Sequence, residues 1–139
     1  MEEQDIKRVG LKVTQPRLKI LDLLANAKQH HLSAEDIYKT LLNNGEEIGL
    51  ATVYRVLTQF EAAGLVNRHH FEGGQAVFEL ARDEHHDHMV CMRSGKVLEF
   101  YDDVIEQRQQ AIASSHNFRI TGHSLILYGE FLDENAEKA

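Results

Sequence analysis

The sequence predicts an α+β fold: an N-terminal winged helix-turn-helix domain over residues 1–80, then a small α/β dimerisation domain over residues 81–139. Three observations carry this reading. Residues 1–80 contain three segments with helical apolar stripes, followed by two strand-like runs around a Gly-Gly turn. That order is the order of a winged helix. Residues 81–139 change to a strand, strand, helix, strand pattern. A unit of that size buries too little apolar surface alone, so pairing with a second copy is expected.

Each element has a local reason. Residues 3–9 fit a short helix. In GLKVTQPRLKILDLLANA, Thr14 can cap a helix and Pro16 lies in its first turn, where the missing N–H costs little. Leu18, Ile20, Leu21 and Leu24 give the apolar stripe. In HLSAEDIYKTLLNNG, Ser33 and Asp36 have capping-box spacing, and Asn44-Gly45 is a left-handed stop. In IGLATVYRVLTQFEAAG, Val53, Val56, Leu57 and Phe60 form one buried face and Gly64 ends the helix. LVNRHHF and QAVFEL then pair around Glu72-Gly73-Gly74. HHDHMVCM and KVLEFY read as strands around Arg93-Ser94-Gly95. VIEQRQQAIASSH reads as a helix with Ile105 and Ile112 on one side, and FRITGHSLILYGEF as a final strand. The tail DENAEKA is polar and expected to fray.

Composition narrows the function classes. Of the 139 residues, 42% are hydrophobic, enough for a core. No apolar run reaches the roughly 20 residues of a membrane span. The start, MEEQDIKRVG, has no apolar signal segment, so a cytoplasmic location and no membrane partner are expected. The net charge is −7, yet residues 7–28 carry six basic side chains and one acid, Asp22. A local basic patch on an acidic body still suits a polyanion.

Residues 85–88 read HHDH. On a strand, His86 and His88 share one face and His85 and Asp87 the other, giving two ligand pairs back to back. Candidate partners for the first pair are Glu99, Glu79, His30 and His31; for the second, Glu106 and His123. Imidazole with carboxylate suits Zn, Mn or Fe(II), and five or six mixed ligands favour octahedral Mn or Fe(II). A merely polar histidine-rich strand is the competing reading. On the third helix, Thr52, Tyr54, Arg55, Thr58 and Gln59 lie away from the buried face, with the chemistry to meet phosphates and base edges. Lys12 could enter a minor groove as a basic arm. A solvated amphipathic face fits that pattern equally well.

HHLSAEDIY, GEEIGLATVYRVLTQFEAAGLVNRHHFEGGQAVFEL, HHDHMVC and GKVLEF, in this order and spacing, strongly resemble the ferric uptake regulator (Fur) family. The resemblance spans roughly residues 8–130. It implies a homodimeric, metal-dependent repressor of iron uptake genes, with double-stranded, AT-rich palindromic operator DNA as partner and a tetramer as an open further assembly. It implies a regulatory site of His31, Glu79, His86, His88 and Glu99, and so favours His31 over His30. It implies a second site of His85, Asp87, Glu106 and His123. DNA contacts would fall on Lys12, Arg17, Thr52, Tyr54 and Arg55. Fe2+ is the implied metal, with Mn2+ or Zn2+ as substitutes.

Many family members hold a structural zinc with two cysteine pairs. Here Ser94 stands where the second cysteine of the first pair would be, and Cys91 is the chain's one cysteine. No tetracysteine zinc is therefore expected, and Cys91 reads as a small buried strand residue. Glu99, where peroxide sensors usually have aspartate, and the IGLATVYRVL and HHDHMVC stretches resemble the iron branch, and zinc sensors usually keep the structural cysteines that this chain lacks; a manganese-, zinc- or peroxide-sensing member of the same family is the alternative. A metal buffer without DNA binding and a metal-dependent hydrolase remain as other classes. No nucleophile or general base pairs clearly with an accessible pocket, so the expectation is a chain that is not an enzyme.

Overall fold

The computed structural model describes residues 2–28, 31–72, 74–81 and 85–133. The chain divides into two compact units, Met1–Arg82 and Asp83–Ala139. The fold is α+β, and the first unit places a short leading helix before the helix, helix, helix, hairpin order of a winged helix.

The first unit is built from α1 (Glu2–Arg8), α2 (Gln15–Asn26), β1 (Leu32–Ser33), α3 (Ala34–Asn43), α4 (Leu50–Ala62), β2 (Val66–His70) and β3 (Ala76–Leu80). The cap signals act as expected. Thr14 accepts a hydrogen bond from Arg17 N, and Ser33 and Asp36 make both bonds of a capping box. Gly45 and Gly64 end their helices at φ +80° and +82°, where a Cβ would be strained. Val53, Val56, Leu57 and Phe60 are buried against Ile6, Ile20, Leu21, Leu24, Ile37 and Phe78, which together form one core. β3 is central in a three-stranded antiparallel sheet of order β1-β3-β2. The expected hairpin forms; Gly73 of its turn lies outside the described residues.

The sequence reading had no β1. It is two residues long, pairing Leu32 with Phe78 and Ser33 with Val77. Two residues carry no readable alternation, yet this bridge matters, because it continues toward His31 opposite Glu79.

The second unit holds β4 (Asp87–Cys91), β5 (Val97–Phe100), α5 (Asp103–Ser115) and β6 (Ile126–Gly129). The sheet order is β5-β4-β6, with β4 antiparallel to β5 and parallel to β6. Gly95 takes φ +79° in the expected turn. Asp102 caps α5 by accepting from Val104 N and Ile105 N. The last strand is much shorter than the expected run over residues 118–131. Its ladder with β4 runs only from the pairing of His88 with Ile126 to that of Cys91 with Gly129. His85 and His86 likewise precede β4 rather than lying within it. The polar tail beyond Asp133, with His30, lies outside the described residues. No helix among the described residues is long and apolar enough to cross a membrane.

Candidate metal centres and nucleic-acid face

In the first unit, strand register explains a buried acid. Phe78 points into the core from β3, so Glu79 points to the opposite face. Extending the β1–β3 register sets His31 beside it, with His31 Nε2 3.3 Å from Glu79 Oε2. Across the β2–β3 pair, His69 is a diagonal neighbour, and its Nε2 lies 2.7 Å from Glu79 Oε1. Glu79 is only 2% exposed. One carboxylate oxygen thus faces His31 and the other is held by His69. His69 also stacks on Phe71, with ring centroids 5.5 Å apart and planes 3° apart.

His69 was missing from the sequence reading. The signal was available: the hairpin register puts it on the face of Val77 and Glu79.

In the second unit, Glu99 faces His88 directly across the β4–β5 ladder. Glu99 Oε2 lies 3.6 Å from His86 Nε2, and the His86 and His88 rings are 4.9 Å apart and edge-on. These three residues form a second group of histidine and carboxylate donors on one face, as the period of two predicted.

The other face carries a fuller set. His85 Nε2 is 3.1 Å from both Asp87 Oδ1 and Glu106 Oε1. His123 Nε2 is 3.6 Å from Asp87 Oδ1 and 3.5 Å from Glu106 Oε1. One ligand atom from each of the four lies within 4.8 Å of the others. β4 supplies Asp87, the first turn of α5 supplies Glu106, and the segment before β6 supplies His123. Asp87 is fully buried, and neither of its oxygens makes a hydrogen bond among the described residues; nor do Glu106 Oε1 and His123 Nε2. Buried carboxylate oxygens without hydrogen bonds are costly, and a cation removes the cost. Four ligands about 2.0–2.1 Å from a tetrahedral ion stand about 3.3–3.4 Å apart. The four measured separations, 3.1 to 3.6 Å, bracket that value, so the donor set fits a divalent metal.

On α4, Tyr54 and Arg55 are exposed and Thr52 half-buried; Lys12 is exposed on the segment before α2. Arg55 Nη2 donates to Thr52 Oγ1 at 3.3 Å. The Tyr54 hydroxyl donates to Glu35 Oε1 at 2.8 Å. That bond, then partial burial and the nearby carboxylate charge, raise the Tyr54 pKa above the ordinary tyrosine value, against an opposing effect of Arg68. Arg17 differs from the other candidates. It is half-buried, donating from Nη1 to the Lys12 carbonyl at 2.6 Å and from Nη2 to Gln59 Oε1 at 2.9 Å. It ties the basic arm to α4.

Residues 8–128 match the ferric uptake regulator family. The chain belongs to that family. It is 61% identical over 128 residues to the ferric uptake regulation protein of Legionella pneumophila, across 92% of this chain and 94% of that one. The crystal structure of the Vibrio cholerae ferric uptake regulator, described as revealing a rearrangement of its DNA-binding domains, superposes with TM-score 0.88 at 60% identity, covering 94% of this chain and all of that one. The Pseudomonas aeruginosa ferric uptake regulator with manganese superposes with TM-score 0.79 at 55% identity, covering 96% and 99%. Like its relatives, this Fur-family chain is a metal-responsive transcription regulator.

Proposed function

We propose that this chain is an Fe2+-responsive repressor that binds AT-rich palindromic operator DNA as a homodimer in the cytoplasm and controls iron uptake genes. The observation that carries the reading is the split donor set. His31 and Glu79 lie on the winged-helix unit, whereas His86, His88 and Glu99 lie on the other unit. Neither group completes an octahedral set alone, and the proposed ion takes its five ligands from both, as the resemblance to the family implies. When bound, the ion supplies two positive charges and directed bonds, which Glu79 and Glu99 match in charge. His31 and Glu79 would then tie the DNA-facing helix to the unit that dimerises. The separation of two α4 helices in a dimer must match successive major grooves, so that tie makes DNA affinity depend on metal. Mn2+ or Zn2+ can substitute for iron, and the manganese held by a close relative supports this. The four-ligand group of His85, Asp87, Glu106 and His123 suits a tetrahedral ion such as Zn2+.

Lys12, Thr52, Tyr54 and Arg55 are the proposed DNA contacts, and Arg17 sets the arm that carries Lys12. Dimerisation is supported by apolar surface on the second unit: Val104 and Phe118 are each 66% exposed, and Ile112, Leu127 and Tyr128 are exposed as well. With Cys91 as the chain's one cysteine a tetracysteine zinc site is not expected, and the proposed dimer is held by packing and sheet pairing.

His86→Ala tests the reading. Metal-dependent operator binding should be lost while the thermal transition and dimer remain. A variant that still responds to Fe(II) or Mn(II) would show that the metal response does not pass through His86.

A further inference from the structure

An acidic side chain sits where a polyanion is expected to bind. Glu35 lies in the first turn of α3, a turn pinned by the Ser33–Asp36 capping box. Its Oε1 accepts the Tyr54 hydroxyl at 2.8 Å. Its Oε2 is buried and makes no hydrogen bond among the described residues. The Tyr54 ring, on the outer side of α4, is 40% exposed. A carboxylate here opposes phosphate nearby, so its effect on DNA must come through what it holds.

A tyrosine hydroxyl has one proton to donate. With that proton on Glu35, Tyr54 has none for a phosphate, and both ends of the side chain are fixed. What remains exposed is an aromatic surface held in one orientation. Such a surface meets the apolar feature of the major groove, the thymine methyl. The phenol is protonated at neutral pH in any case, and the hydrogen bond to Glu35 raises the Tyr54 pKa further.

We propose that Glu35 is a positioning residue that sets sequence specificity: it holds the Tyr54 ring against a thymine methyl and removes its hydroxyl from phosphate binding. This rests on the reading that α4 faces operator DNA. Burying one methyl-sized group corresponds to about fourfold in affinity, so two symmetric half-sites give roughly fifteenfold.

The test uses the full chain with Mn(II) and a set of operators in which one symmetry-related pair of thymines at a time is replaced by uracil. In the wild type, one pair should carry a penalty near fifteenfold. Glu35→Ala and Tyr54→Phe should each bring that penalty to twofold or less, and the double variant should lower it no further. Glu35→Gln, which keeps an acceptor, should retain it. Tyr54→Phe deletes a single surface oxygen and decides the matter should Glu35→Ala fail to fold. A full thymine penalty in both single variants overturns the inference and leaves operator binding intact. A wild type that binds the operator with no thymine-dependent pair also overturns it. A wild type that binds no operator with metal overturns the DNA reading and this inference together.

Discussion

Replacing Asp87 with asparagine removes one buried charge and keeps its volume, and its effect should depend on metal. Asp87 is fully buried, with both oxygens lacking hydrogen bonds among the described residues. Glu106 shares the same cluster, so two carboxylates occupy it, and the groups that face Asp87 Oδ1 are the His85 and His123 imidazoles at 3.1 and 3.6 Å. Exchanging the buried carboxylate for a neutral amide leaves polar atoms in place but removes the charge, a change worth about 1–3 kcal/mol. The metal-free variant should therefore melt higher than the metal-free wild type. For a domain of 60–100 residues, 1 kcal/mol is about 4–8 °C, so the gain is at least about 4 °C. With metal the wild type gains more. At a concentration of 100 Kd, ligand binding adds about 2.7 kcal/mol, or roughly 10–20 °C. If loss of the ligand weakens metal binding about a hundredfold, the variant gains only about 0.4 kcal/mol, or roughly 2–3 °C. Calorimetry should be run at fixed protein concentration and pH 8, in a His86→Ala background so that the other histidine group contributes equally little to both melts. Equal metal-induced shifts in the two proteins would refute the reasoning. So would a metal-free asparagine variant that melts well below the wild type, because Asp87 would then be satisfied by protein groups.

Two further outcomes follow from single contacts. Arg17→Ala should lower operator affinity by about tenfold, or about 1.4 kcal/mol, the loss expected when the Lys12 arm is no longer held by the two intramolecular bonds of Arg17; because its role is to position Lys12, the Lys12→Ala and Arg17→Ala losses should be non-additive in an anisotropy cycle, whereas a plain phosphate contact would give additive losses. Cys91→Ala should leave both the bound-metal content by mass spectrometry and the dimer by sedimentation unchanged, and chelation of the wild type should remove metal without dissolving the dimer; monomers on chelation would contradict this.

Much of the fold was legible because its signals are local. Thr14, Ser33 with Asp36, Gly45 and Gly64 each act within one helical turn, and each does in the structure what its chemistry predicts. The buried stripe of α4 follows from period alone. The back-to-back arrangement of His86 with His88 and His85 with Asp87 also needed only the alternation of an extended chain. What escaped depends on register between distant segments. The β1 bridge that sets His31 beside Glu79 is too short to show a pattern. His69 reaches Glu79 only through the cross-strand diagonal of a hairpin. Glu35 and Arg17 find Tyr54 and Gln59 at separations of 19 and 42 residues, and no spacing rule within one helix reports such contacts. The final strand was overextended because an apolar extended run looks the same with or without a partner ladder.

The central claim is that metal binding makes this chain grip operator DNA. The most direct measurement is an anaerobic fluorescence-anisotropy titration of a labelled AT-rich palindrome at fixed salt, with Fe(II), with Mn(II), and with chelator. Saturable binding that needs metal and is lost on a scrambled palindrome is the predicted result. Equal binding with and without metal, or none in either condition, would contradict it.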